Sequence, residues 1–261
     1  MPAIPLVFEI DGPIAYVTFN RPEARNALTW EMYAALEEAC ERVDASGAVR
    51  VMVLRGAGGQ AFAAGTDISQ FAAFSTRDDA IAYERRLDRV IDRVERVGAA
   101  TIAQVQGAAT GGGCALALAC DLRVCTPDAR LGMPIARTLG NCLSAANYAR
   151  MLDLMGPALL KDVVFSGRLL DAAEAASRGL VTRIVEPDGV DAAVRELAAT
   201  IAAHAPRTIR ATKEAVRRLQ AARRLAPDAI DDLIAGCYLS DDFREGVSAF
   251  LEKRRPRFTG R

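Results

Sequence analysis

The run Gly111-Gly112-Gly113-Cys114-Ala115-Leu116-Ala117-Leu118-Ala119-Cys120 holds the residues best suited to chemistry. An apolar, strand-like segment, Thr101-Ile102-Ala103-Gln104-Val105, precedes it, and small apolar residues compatible with a helix follow it. Glycines at such a junction let a ligand lie against bare backbone. The first-turn N–H groups of a helix have no intrahelical partners and carry partial positive charge. They suit an anion, or a carbonyl oxygen that is becoming one. The run therefore reads as half of an oxyanion hole. Close helix packing and a plain phosphate loop are alternative readings of the same residues.

A second junction has the same character. The apolar strand Val49 to Leu54 and the turn Gly56-Ala57-Gly58-Gly59 lead into Ala61-Phe62-Ala63-Ala64-Gly65-Thr66-Asp67-Ile68. Small residues again expose backbone, here just before an acid. Two strand-to-loop junctions of this kind can bring two N–H donors over one oxygen. The spacing Gly56-x-Gly58-x-x-Ala61 also fits a relaxed dinucleotide fingerprint. However, Phe62 to Gly65 makes a poor helix, which argues against a nucleotide cofactor.

The elements that must position these junctions follow from patterning. Phe8 to Phe19, with Asp11-Gly12-Pro13 between two runs, reads as a hairpin. Thr29 is a candidate N-cap for a helix whose apolar stripe is Met32, Tyr33, Leu36, Cys40 and Val43. Val49 to Leu54 is apolar on both faces, as in a strand buried on both sides. Residues 78–97 form a charged helix with the stripe Leu87, Val90, Ile91, Val94 and Val97. Helical segments fill about 143–178, with breaks at Gly156-Pro157 and Gly167; Asn141 or Ser144 caps their start. Val181 to Val185 is the last strand, and the chain beyond Gly189 is helical. Alternating strands and helices predict an α/β architecture.

Composition narrows the function. Lys plus Arg and Asp plus Glu both number 33, so net charge is zero. Nothing points to nucleic acid or to an anionic membrane surface. No apolar run approaches the ~20 residues needed to span a bilayer. Met1 to Pro5 lacks the charged and apolar regions of a signal peptide, so a cytoplasmic location is expected. The six cysteines show no CxxC spacing, and the single histidine, His204, falls at a helix end beside Pro206. No metal site is expected. Cys142 and Ser144 are left without a histidine relay.

Several segments together resemble the crotonase superfamily, the enoyl-CoA hydratase/isomerase fold. They are Asn20 to Leu28, Ala61 to Ile68, Gln106-Gly107 with Gly111 to Gly113, Cys120 to Arg123, and Asp242 to Gly246 with Ala249 to Arg254. The resemblance implies a ββα spiral core over 1–190 that binds a CoA thioester. It implies a C-terminal helical region, 191–261, that packs in a homotrimer or dimer of trimers. An acyl-CoA or enoyl-CoA is the expected partner, and coenzyme A enters as part of the substrate with no separate cofactor. By resemblance, the N–H groups of Thr66 and Gly112 stabilise a thioester enolate. Losing one such donor typically costs ~2.7–4 kcal/mol of barrier. A Thr66 hydroxyl that merely caps a short helix is the plain alternative. Arg25, Ala27, Ala61, Ala64, Gly65 and Ile68 are expected to hold the CoA moiety.

The chain departs from that family at its acids. Hydratases of the family carry two glutamates, and the matching positions here are Ala115 and Ile135. Positioned acid–base groups contribute ~10²–10⁴-fold, so hydratase activity is expected to be weak or absent. Asp67, or Glu84 with Tyr83 on the 78–97 helix, can stand in for proton transfer. Arg137 is a cation where relatives carry an anion, and is assigned either a substrate carboxylate or a solvated ion pair. Asn141, Cys142, Ser144, Asn147 and Tyr148 cluster near the acyl end of the site. Ser69 stands where many relatives have lysine; Lys253 or Lys213 is expected to compensate. The readings that follow are an acyl-CoA enzyme such as a decarboxylase or isomerase, or a non-catalytic CoA-thioester binder.

Overall fold

The computed structural model describes residues 4–71 and 74–261. The chain opens with the antiparallel hairpin β1 (Leu6–Asp11) and β2 (Ile14–Phe19), then α1 (Trp30–Ser46). Three turns of a spiral follow. The first is β3 (Val51–Gly56), β4 (Ala61–Ala63) and α2 (Arg77–Arg96). The second is β5 (Ala100–Val105), β6 (Ala108–Thr110) and α3 (Gly112–Ala119). The third is β7 (Leu122–Cys125), β8 (Arg130–Gly132), α4 (Ile135–Thr138) and α5 (Ala145–Ser166). Then come β9 (Leu170–Asp171), α6 (Ala172–Ser177), β10 (Arg183–Ile184), α7 (Val190–Ala202) and α8 (Pro206–Ala221). The chain ends with α9 (Asp231–Tyr238) and α10 (Asp241–Leu251).

Each turn contributes one strand to each of two sheets, of order β1-β2-β3-β5-β7-β10 and β4-β6-β8-β9. The spiral strands pair in parallel. The anticipated α/β ββα spiral is therefore the fold. Its larger sheet is apolar on both faces because both are covered. Every residue of β5 is buried. On one face Leu54, Phe62 and Leu131 join the main core. On the other, Val53, Ile102 and Val124 pack against Val190, Val194 and Leu197 of α7. The core thus continues through α7, past residue 190 where the sequence suggests a boundary. Thr29 caps α1 by accepting from the Met32 N–H. Ser144, not Asn141, caps α5. Gly156 breaks the helical φ/ψ inside α5. The last strand is shorter than its apolar run, only Arg183–Ile184, and exposed at the sheet edge. The Gly56-x-Gly58 turn leads into β4 rather than a helix, so the dinucleotide pattern is not realised.

The C-terminal helices divide their work. α8 has no buried residue, whereas α9 packs on α2 and α10 packs on the 3-10 turn Ile68–Phe71. Gly246 explains part of the tail motif: a Cβ there would lie 2.5 Å from the Leu139 carbonyl oxygen, so only glycine lets α10 approach α4 this closely. Among the described residues, no helix is long and apolar enough to cross a membrane.

Candidate active site

The two glycine-bearing junctions meet. Residues 25–28 run beside 64–67 as a short ladder: the Ala64 N–H donates to the Arg25 carbonyl (3.0 Å), Leu28 to Gly65 (2.8 Å) and Asp67 to Leu28 (2.9 Å). This pattern leaves the Thr66 N–H between them without a partner among the described residues. Gly112 opens α3, so its N–H has no acceptor within the helix. The junction is anchored by the Gly111 N–H donating to Gly132 of β8 (3.1 Å). Gly111 has φ 53° and ψ −125°, a conformation that glycine alone adopts readily. A Cβ placed on Gly112 would sit 3.7 Å from the Thr66 nitrogen. The two amides are therefore neighbours. The third glycine serves packing, since a Cβ on Gly113 would meet the Ala63 carbonyl oxygen at 2.1 Å.

Thr66 is fixed from behind. Its Oγ1 lies 2.8 Å from the Tyr33 hydroxyl and 3.1 Å from that of Tyr83. Burial raises both phenols above their usual range, so they remain neutral. The Thr66 hydroxyl thus bridges α1 and α2 and caps no helix. Tyr33, read from the sequence only as part of an apolar stripe, is one of the site's supports.

Thr66 and Gly112 line one cavity of about 150 Å³, together with Ala64, Gly65 and Gly111. Ile68, Phe71, Ile135, Leu139, Leu143 and Phe250 form its apolar side. Phe250 comes from α10, so the C-terminal region closes the site in the same chain. Of the two positions that the resemblance matches to a glutamate, Ile135 is in the cavity wall and Ala115 is buried within α3. Neither residue can transfer a proton.

An acid is nonetheless present. Glu84 of α2 lines the cavity and is only 1% exposed. Its Oε1 accepts from the Tyr238 hydroxyl (2.5 Å) and its Oε2 from the Ser144 N–H (2.9 Å). Asn141 Nδ2 donates to the Tyr238 oxygen (3.1 Å), completing a chain from α9 to the cavity wall. Burial pushes the Glu84 carboxyl up to about 8; the Tyr238 hydrogen bond works against that, and Asp88 reinforces it. Glu84 is therefore mostly protonated at neutral pH.

The remaining sequence candidates separate into three groups. Ala64, Gly65 and Ile68 are in the cavity wall. Exposed Arg25, half-buried Ala27 and buried Ala61 lie alongside it, held by Asn26. Asn26 is fully buried; its Nδ2 donates to the Ala57 (2.9 Å) and Ala61 (2.8 Å) carbonyls, and its Oδ1 accepts from the Arg21 N–H (2.9 Å). A third group lies elsewhere. Asp67 pairs with Arg21 (3.1 Å) and accepts from Ser69 Oγ (2.7 Å). Partial burial opposes its ionisation, but hydrogen bonds from Ser69 and Arg21 prevail and hold its carboxyl below the usual range. A paired Asp67 that is ionised at neutral pH is a brace and a poor proton carrier. Arg137 is exposed and lines a surface groove with Arg254 and Phe258 that adjoins the cavity at Thr138 and Phe250; it is not in the cavity wall itself. Lys253 is exposed at φ 56° and lies outside the cavity lining. Lys213 pairs with Asp121 (2.8 Å). His204 is exposed just after α7, as its neighbours suggested.

Known proteins similar to this chain match it over nearly its whole length. A family model described as enoyl-CoA hydratase/isomerase matches residues 9–261. The short-chain-enoyl-CoA hydratase of Clostridium acetobutylicum is 31% identical over 251 residues, covering 96% of this chain and 95% of that protein. The crotonyl-CoA hydratase of Syntrophomonas wolfei is 30% identical, covering 97% of each. Among solved structures, an enoyl-CoA hydratase/carnithine racemase from Magnetospirillum magneticum aligns with TM-score 0.80 at 35% identity, covering 99% of this chain and 97% of that one. A methylmalonyl-CoA decarboxylase in complex with 2-nitronate-propionyl-CoA aligns with TM-score 0.89 at 25% identity, covering 98% of each chain.

Proposed function

The chain belongs to the enoyl-CoA hydratase/isomerase family, and from that premise we propose that it decarboxylates a small 2-carboxyacyl-CoA thioester. The observation that carries this reading is the pair of neighbouring amides of Thr66 and Gly112, without partners among the described residues, in the wall of one small cavity. A thioester oxygen placed between them accepts two hydrogen bonds as it gains charge, and the enolate is stabilised before any solvent reorganises. Hydration needs one group to activate water and another to protonate carbon. Ile135 and Ala115 supply neither. Loss of CO₂ generates the enolate without a base, so this site lacks nothing that first step requires. The apolar side formed by Ile135, Leu139 and Leu143 favours it further, because a carboxylate stripped of water there is relieved by leaving as neutral CO₂. The likeness to the methylmalonyl-CoA decarboxylase points the same way.

The CoA chain is taken to run past Arg25, Ala27 and Ala61 on its way to Gly65. The assembly is read as a homotrimer or a dimer of trimers. Exposed Phe165, Leu219 and Leu233 provide apolar surface for it; a single-chain mass by light scattering would remove that reading.

The test is incubation with malonyl-, methylmalonyl- and crotonyl-CoA, followed by mass spectrometry. Acetyl- or propionyl-CoA should form from the carboxylated thioesters, with little hydrated crotonyl-CoA. Turnover of crotonyl-CoA at rates typical of hydratases would overturn the proposal. Binding of all three without product would favour a non-catalytic thioester-binding protein.

A further inference from the structure

We propose that Glu84 is the acid that protonates the α-carbon of the thioester enolate, in place of the glutamates missing at positions 115 and 135. The inference rests on the enolate reading above and adds the second half of the reaction. Once CO₂ leaves, the electron pair of the broken carbon–carbon bond resides in the enolate held by Thr66 and Gly112. The Glu84 O–H bond breaks, its proton forms the new α C–H bond, and the carboxylate left behind regains a proton from water. The net change is one proton consumed and one CO₂ released.

Four observations support the assignment. Glu84 lines the same cavity as both amides. It is 1% exposed, so bulk water does not compete at the carboxyl. Its two oxygens are held by groups from different elements, Tyr238 of α9 and the backbone before α5, which fixes the side chain's position. Among the described residues it has no cation as partner, unlike the buried Glu95, which Arg150 holds at 2.5 Å. A buried carboxyl without a cation favours its neutral form, and the neutral form is the one that donates.

The groups facing Glu84 are anionic when ionised, or neutral. Asp88 lies one turn on in α2, beside Tyr83, and Tyr33 approaches from α1. Tyr238 faces it from α9, Cys142 from the loop before α5, and Tyr148 from α5. The nearby cations, Arg150 and Arg224, both pair with Glu95. Decarboxylation should therefore slow as pH rises through about 8 and the donor is lost. The microscopic reverse, removal of an α-proton from propionyl-CoA, should speed up over the same range, because it needs the carboxylate.

The experiment uses the full chain in D₂O. Deuterium uptake at the α-carbon of propionyl-CoA is followed by mass spectrometry, alongside decarboxylation of methylmalonyl-CoA. Glu84→Gln keeps the shape and an acceptor for Tyr238. It should reduce exchange by ~10²–10⁴-fold and abolish the pH dependence, with KM for propionyl-CoA nearly unchanged. Tyr238→Phe removes a hydrogen bond that favours the carboxylate, so it should move both pH limbs upward; this arm also serves if E84Q does not fold. Exchange that persists at the wild-type rate in E84Q, or pH limbs that stay in place in Y238F, overturns the role of Glu84 alone. A wild-type protein that neither exchanges nor decarboxylates overturns the enolate reading, and Glu84 with it.

Discussion

Gly112→Ala is the substitution most directly set by the geometry. The added Cβ would lie 2.6 Å from the Tyr33 hydroxyl, 3.2 Å from Thr66 Oγ1 and 3.7 Å from the Thr66 nitrogen. Unstrained contacts of carbon with such atoms are about 3.5–4 Å, so the tyrosine must yield by nearly an ångström. It has little room, being 1% exposed and bonded to Thr66. Overpacking of this kind costs ~1–3 kcal/mol, or roughly 2–4 °C in Tm per kcal/mol for a chain of this size. The catalytic loss is separate and larger. The methyl crowds the Tyr33 and Thr66 hydroxyls behind the two amides, so it moves the Thr66 and Gly112 N–H groups out of line with each other while removing neither. Taking one donor fully out of line costs at most what losing it would, ~2.7–4 kcal/mol, or about 10²–10³ in kcat. The double variant Tyr33→Phe/Gly112→Ala divides the two effects. Removing the hydroxyl relieves the 2.6 Å clash, while Thr66 keeps its contact with Tyr83 at 3.1 Å. Thermal unfolding should recover toward that of Tyr33→Phe alone, while methylmalonyl-CoA turnover stays depressed. If the double variant turns over like Tyr33→Phe, the alignment of the Thr66 and Gly112 amides does not limit catalysis and the argument from the junction fails.

Other outcomes can be stated more briefly. Asn26→Ala strands the buried Ala61 carbonyl, the half-buried Ala57 carbonyl and the Arg21 N–H; it should lower stability by about 3 kcal/mol in urea unfolding. Asp67→Asn should leave turnover within about threefold and cost under ~1 kcal/mol, since the Arg21 pair is partly exposed. Because the folded carboxyl of Asp67 titrates below its unfolded value, its contribution is present above the unfolded value and disappears as pH falls through the folded one; the D67N difference should vanish in acid. Burial pushes the thiols of Cys40, Cys114, Cys120 and Cys125 up to about 12. Cys237 is partly exposed, and a hydrogen bond from Cys142 favours its thiolate. Iodoacetamide on the native protein should therefore label Cys237 first, as peptide mapping would show; prior labelling of Cys114 would contradict the packing of α3.

The sequence alone determined a good deal here. Val49 to Leu54 and Thr101 to Val105 announce buried strands because a sheet covered on both faces has no polar side to display. Thr29 announces a helix start because a cap is satisfied within three residues, whereas the choice of Ser144 over Asn141 needed the structure. The glycine run is visible for a similar reason, since the backbone at Gly111 is a property of that residue. That Ala115 and Ile135 cannot transfer a proton is read from their identity alone. Tertiary structure decided what the other polar residues do. Glu84 and Asp67 are each one acid among many in the chain. One is buried against Tyr238, 154 residues away, and stays protonated; the other meets Arg21 and Ser69 and stays charged. Arg137 and Lys253 looked suited to binding an anion, yet the turns that carry them leave both outside the cavity. Periodicity and capping act over a helical turn or a strand. Desolvation and hydrogen bonding at a cavity depend on which distant elements cover it, and here α9 and α10 do the covering.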